Sequence, residues 1–288
     1  MRLKSLFEPG DPERLASGFQ FTEGPVWLPE GALVFSDIPV SRIYRWTAQG
    51  GPKVWRQPSG NSNGLTLDRQ GRLVACEHGN RRVSRTEANG TVVPLAERYS
   101  GKQLNSPNDV VVRSDGVIYF TDPPYGLDPL PPEQPVNGVY AIWPDGTLRL
   151  VAADFDRPNG LAFSPDESIL YIDDSRRRHV RAFDVHADGT IHNSRLLAGM
   201  DHPQPGSPDG MKLDVEGHVY VCGATGVWVF EPDGERLGVI VTPERPANCA
   251  WGDADRQSLY ITARTSLYRV RTKVRGVGGW PRQRREVQ

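Results

Sequence analysis

The sequence predicts an all-β chain folded as a six-bladed β-propeller with four antiparallel strands per blade, and three observations carry the prediction. One segment plan recurs six times, as EGPVWL from Glu23, NGLTLD from Asn63, NDVVVR from Asn108, NGLAFS from Asn159, DGMKLD from Asp209 and NCAWGD from Asn248, at intervals averaging 45 residues. Such a period marks a repeat built from one small sheet per unit. Each unit also holds short runs rich in β-branched and aromatic residues, without helical periodicity. Finally, the 288 residues include 30 Gly and 25 Pro, well above the roughly 12% of average usage, which supplies the turns that many short strands need.

Within each unit the opening strand runs into a polar turn: LPEG, DRQG, RSDG, SPDE, DVEG and DADR in order. A second strand follows, reading ALVFSDI, RLVACEH, VIYFTDP, SILYIDD, HVYVCGA and SLYITAR. The third strand alternates, as in RIYRW, GVYAIW, HVRAFDV, GVWVFE and SLYRV, and a weaker fourth closes most units, as in TVVPLA, TLRLVA, SRLLA and LGVIV. The sixth unit lacks a fourth strand. Residues 13–18, ERLASG, stand before Glu23 as SRLLAG stands before Asp209, so they are predicted to pair into the sixth blade. Closure of the ring in this way removes two exposed sheet edges. The whole of 1–288 reads as one domain, with 272–288 as a basic, solvated tail and Asp128–Gly138 as a loop between two strands of the third blade that helps to form the mouth.

Charge and motif searches narrow the function. With 34 basic and 35 acidic side chains the net charge is −1, which argues against a dedicated nucleic-acid or anionic-membrane binder. No run approaches the ~18 apolar residues of a membrane span, and the N-terminus breaks into charge and proline before a signal-peptide core forms, so a cytoplasmic protein is expected. Cys76, Cys222 and Cys249 have no C-x-x-C spacing and read as reduced, buried thiols. G-x-S-x-G, H-E-x-x-H and G-x-x-x-x-G-K-[ST] are all absent. A small-molecule partner is expected, with a monomer or weak homo-oligomer.

The repeat carries chemistry as well as architecture. Equivalent positions of a propeller converge at one end of the central tunnel, and here that ring is Glu23, Asn63, Asn108, Asn159, Asp209 and Asn248. Crowded polar groups must find partners. Asn and Asp can merely cap turns that lead into strands, but six in register fit a metal ion better. Carboxylate and amide oxygens suit calcium, magnesium or manganese, whereas zinc or copper sites normally include His or Cys.

The segments FTEGPVW, SPNDVVV with its trailing FTDPPYG, RPNGLAFSPD and SPDGM resemble those of the senescence marker protein, gluconolactonase and luciferin-regenerating enzyme family, in particular its bacterial gluconolactonase-like branch, over roughly Ala16 to Val270. The resemblance implies a six-bladed propeller and a metal site on Glu23, Asn159 and Asp209, with Asn108 on the substrate side. The ion it implies is one divalent cation, calcium first and Mg2+, Mn2+ or Zn2+ as alternatives. Where animal members have an Arg two residues before the substrate-side Asn and a Glu eighteen after it, this chain has Ser106 and Gly126. The implied activity is metal-dependent hydrolysis of gluconolactone or a related small lactone, with Asp209 as base, Asn108 orienting the substrate, and Asn63 and His78 on the same rim. Arg81, Arg82 and His202 read as solvated or surface groups. A phosphotriesterase or fluorophosphatase acting through a similar ion, and a non-catalytic metal-stabilised binding propeller, are the alternative readings.

Overall fold

Six four-stranded antiparallel sheets stand around a central tunnel in the computed structural model, which describes residues 2–127 and 129–278. Blade 1 comprises Thr22–Leu28, Ala32–Asp37, Arg42–Thr47 and Gly51–Arg56, each strand paired with the next in sequence. Blades 2 to 5 repeat the meander, their innermost strands being Ser62–Leu67, Val110–Val112, Pro158–Phe163 and Met211–Leu213. Blade 6 has three strands from the end of the chain, Asn248–Gly252, Ser258–Ala263 and Ser266–Arg271, and its outermost strand is Glu13–Ser17. The N-terminal strand thus closes the ring, with Ala16 opposite Leu267.

Second strands are buried along all or nearly all of their length, as in Ala32–Asp37 and Ser258–Ala263. A strand covered on both faces reads as a continuous apolar run. Between blades these faces form separate clusters, such as Val74, Cys76, Val110, Phe120 and Tyr140 between blades 2 and 3. The three cysteines are free and buried, as their spacing suggests.

The inner strands are irregular where they carry the ring. Blades 1, 2 and 4 break register between Glu23 and Val26, Ser62 and Leu65, and Pro158 and Leu161. In blades 3 and 5 the strand begins only at Val110 and Met211, so Asn108 and Asp209 stand on the connection just before it. Bulges of this sort re-aim side chains, and here they turn polar groups toward the tunnel mouth.

Three features depart from the sequence reading. The loop in blade 3 is shifted: Asn137 and Gly138 belong to the strand Asn137–Ile142, because their pairing with Phe155 and Asp122 extends the ladder, and Asp128 lies outside the described residues. The tail expected over 272–288 is docked as far as it is described. Val215 donates its N–H to Arg275 O at 2.9 Å, Gly276 to Arg256 O at 2.9 Å and Val277 to Leu213 O at 3.0 Å. It covers the foot of the tunnel, where a cavity of about 140 Å³ is lined by Pro25, Leu65, Ala162, Trp251 and Val277; residues 279–288 lie outside the described residues. A small hairpin, Arg98–Tyr99 with Lys102–Gln103, also stands outside the blades. No described helix is long and apolar enough to cross a membrane.

Candidate functional site

The upper end of the tunnel is built from the six repeat positions and the residue that follows each. Glu23, Asn63, Asn108, Asn159 and Asn248 are 2–5% exposed, and Asp209 is half-buried. Four of the six are followed by glycine, and the close approach of neighbouring blades explains why. A Cβ on Gly24 would collide with Asn63 O, one on Gly160 with Asp209 O, and one on Gly210 with the Asn248 side chain. Gly64 packs on Asp109, which takes the glycine position in blade 3.

The blades are stitched together behind this ring by hydroxyl groups of the second strands. Ser36 donates to Asn63 O at 2.8 Å and Thr121 to Asn159 O at 2.8 Å, each reaching the ring residue of the following blade. Asp173 has the corresponding position in blade 4, fully buried, with no partner for either carboxylate oxygen among the described residues. Its pKa lies well above the usual carboxylate range because of burial, with Asp209 and Asp109 adding repulsion.

Two groups of predicted residues meet at the mouth. Asn248 Nδ2 donates to Glu23 Oε2 at 3.0 Å and to Asp109 Oδ2 at 3.2 Å, bridging two buried carboxylates. Burial and then Asp109 push the Glu23 pKa up to about 7. Asp209 is raised still more clearly, by burial, then by Glu23 and Asp109, while Arg245 and a hydrogen bond from Asn159 oppose the rise. Asp209 therefore acts on both Glu23 and Asn159. Opposite them, Asn63 Nδ2 lies 3.2 Å from His78 Nε2. An amide nitrogen can only donate, so Nε2 accepts and the His78 proton sits on Nδ1. Burial lowers the His78 pKa to about 4, keeping the ring neutral. Asn108 connects the two groups through its main chain, accepting from Gly64 N at 2.8 Å and donating to Thr121 O at 2.8 Å.

The donor chemistry at the mouth can be tested against a cation. Among the described residues no group of three or more His, Cys, Asp and Glu is arranged to hold a metal. An ion there would draw on the carboxylates of Glu23 and Asp209 and the amide oxygen of Asn159, an all-oxygen set that fits a hard divalent cation.

Other mouth residues were not legible as site residues. Asp109 and Asp173 were missed, although each breaks its repeat: Asp109 where the pattern has Gly, Asp173 where it has Ser, Thr or Cys. Tyr125, 38% exposed, was missed as well; its phenol is pushed up to about 12 by burial, held back by a hydrogen bond to Ser175, and it feels Asp209 and Asp173. Ser106 and Gly126 prove to be neighbours. Gly126 N donates to Ser106 Oγ at 3.0 Å, and a Cβ on Gly126 would lie 2.8 Å from His78 Cβ. Of the residues read as surface groups, Arg81 is buried and donates to Leu104 O at 2.7 Å, and His202 packs edge-on against Trp228.

Comparison with known proteins bears on the fold and the family. The profile of the SMP-30/Gluconolactonase/LRE-like region matches residues 21–265. The gluconolactonase of Zymomonas mobilis is 36% identical, over 96% of this chain and 85% of its own length. A pentonolactonase of Haloferax volcanii is 28% identical, over 83% of this chain and 80% of its own. The solved structure of a gluconolactonase from Xanthomonas campestris superposes with a TM-score of 0.86 at 39% identity, covering 94% of this chain and 92% of that one. Blade count, strand order and a match running from before Glu23 to beyond Asn248 all lead to one assignment: the chain belongs to the SMP-30/Gluconolactonase/LRE-like family.

Proposed function

We propose that this chain hydrolyses a small lactone at the polar mouth of the propeller, with one hard divalent cation held by Glu23, Asn159 and Asp209. Calcium is the first choice, and magnesium, manganese and zinc are the alternatives. The observation that carries the reading is the action of Asp209 on both Glu23 and Asn159, with two carboxylates repelling each other where neither forms an ion pair among the described residues. The names of the relatives, gluconolactonase and pentonolactonase, support lactone over a phosphorus ester as the substrate class.

When bound, such an ion supplies electrophilic assistance to an ester carbonyl and acidifies nearby water. The chain's own residues do the rest. The Asp209 carboxylate accepts the proton of the water that opens the ring. Asn108 hydrogen-bonds a substrate oxygen from the adjacent blade. Asn63, its amide aimed by His78, orients a substrate hydroxyl from the far side. Because His78 is neutral through the physiological range, it adds a fixed Nδ1–H donor to that wall.

The test is proton release from a panel of small lactones by chelator-stripped protein, with each ion restored singly. Turnover should return with an oxygen-preferring ion and fall by a factor of about 10²–10⁴ in Asp209→Asn, the usual weight of a positioned base. Turnover indifferent to chelation removes the cation from the reading, and a fully active Asp209→Asn removes the base. Metal uptake with no lactone hydrolysed would leave a binding propeller instead.

A further inference from the structure

Two arginines lie on connections that are linked by hydrogen bonds to the residues on either side of Asp209, with no carboxylate in contact among the described residues. Arg157 stands two residues before Asn159, the place that Ser106 holds before Asn108, so it lies on a mouth-side connection. Its N–H is fixed by Asp174 Oδ1 at 3.1 Å, and its carbonyl accepts from Ser175 N at 2.9 Å. Ser175 in turn donates to Pro208 O at 2.7 Å, on one side of Asp209. The Arg157 guanidinium rests over the ring of Tyr125, 5.3 Å from its centre.

Arg245 approaches from blade 6. It lies on the connection before Asn248, and that connection is tied to the other side of Asp209, since Gly210 donates to Ala247 O at 2.8 Å. Arg245 is the cation that acts on Asp209. Both arginines are half-buried, and neither forms an ion pair among the described residues.

Building on the lactonase reading, we propose that Arg157 and Arg245 form an anion-recognition pair, and that the lactone taken at this mouth carries a second, negatively charged group, a carboxylate or a phosphate, away from its ring ester. Guanidinium donors match both groups in geometry. The sugar-ring face of such a substrate would lie along Tyr125, while the charged end reaches the arginines and the ester carbonyl remains on the Asp209 side. Positive groups at a rim also steer an anionic substrate inward, and salt weakens that steering.

Three probes separate the possibilities: glucono-1,5-lactone, which is neutral; glucaro-1,4-lactone, which carries a carboxylate; and 6-phosphoglucono-1,5-lactone, which carries a phosphate. The wild type should have the larger kcat/KM on one of the two charged lactones, and that advantage should shrink in 0.5 M salt. In R157Q and R245Q the KM for that lactone should rise about tenfold more than the KM for the neutral one. Calorimetric titration with 6-phosphogluconate and glucarate provides a readout that does not require turnover. Binding of either, weakened about tenfold by each substitution, supports the pair even where every lactone is left intact, an outcome that would sink the lactonase reading alone. Equal losses on charged and neutral lactones would show that the arginines only offset the buried acids and would overturn the proposal, as would a wild-type preference for the neutral lactone or binding unchanged in both variants.

Discussion

At Gly210 the space for a side chain is taken by Asn248, whose amide bridges Glu23 and Asp109. Gly210→Ala should therefore cost about 1–3 kcal/mol by overpacking and disturb Glu23 at the same time; denaturant titration alongside lactone turnover measures both. His78 gives a pH-dependent counterpart. Its folded pKa of about 4 lies below the ordinary 6.5, so below pH 6.5 the unfolded chain binds a proton that the folded chain refuses. Its contribution is complete above pH 6.5 and declines as the pH falls toward 4, by at most about 3 kcal/mol. Asp122, raised by burial to about 7, acts in the opposite sense, gaining stability as the pH falls through the same range. The wild type must therefore be compared with His78→Gln, whose stability should lose less between pH 7 and pH 5; parallel curves would refute the assignment.

Among the elements, the strand Glu13–Ser17 closes the ring. Its Leu15 and Ala16 pack with Leu267 and Tyr260, and it covers the edge of Ser266–Arg271. Deleting residues 1–18 should destabilise the protein by about 2 kcal/mol or more and promote association through the bared edge, to be followed by calorimetry and light scattering. The connection before Asn137 should behave differently. It is pinned by Glu133, which accepts from Gln103 N at 3.0 Å and lies 3.4 Å from Arg81, and by Gln134, whose amide reaches Tyr99 O, Lys102 O and Gln103 O. Glu133 is substantially exposed, so Glu133→Gln should cost less than about 1 kcal/mol, and a larger loss in melting curves would show the pairing to be structural. The strands were legible because each repeat restates its pattern, and Glu13–Ser17 because SRLLAG is its echo. The hairpin at Arg98–Gln103 and the docking of 272–278 were not, since each depends on contacts with distant elements and occurs once. At the mouth, the six ring residues were legible for the same reason of repetition. Asp109, Asp173 and Tyr125 were not, because a residue that breaks a repeat gains its meaning only from what the other blades place beside it.

For the whole molecule, the proposed cation would couple binding to folding. Glu23, Asn159 and Asp209 come from three blades, so a cation held by them as proposed would tie the ring together and stabilise only the folded state. At a hundredfold excess over Kd, linkage adds about 2.7 kcal/mol, or roughly 5–10 °C in Tm for a chain of this size; a Tm unmoved by calcium, magnesium, manganese and zinc would count against any site there. The pairing of Ala16 with Leu267 also sets a schedule for synthesis. At about 5–20 residues per second, the ribosome adds the intervening stretch in roughly 12–50 s. Through that interval the first strand has no partner, five blades can assemble behind it, and the ring stays open. Ribosome-bound chains stalled before Ser266 should accordingly be cleaved by protease near residue 16, while chains released after Arg271 resist, making the last blade the step that commits the protein to its native state.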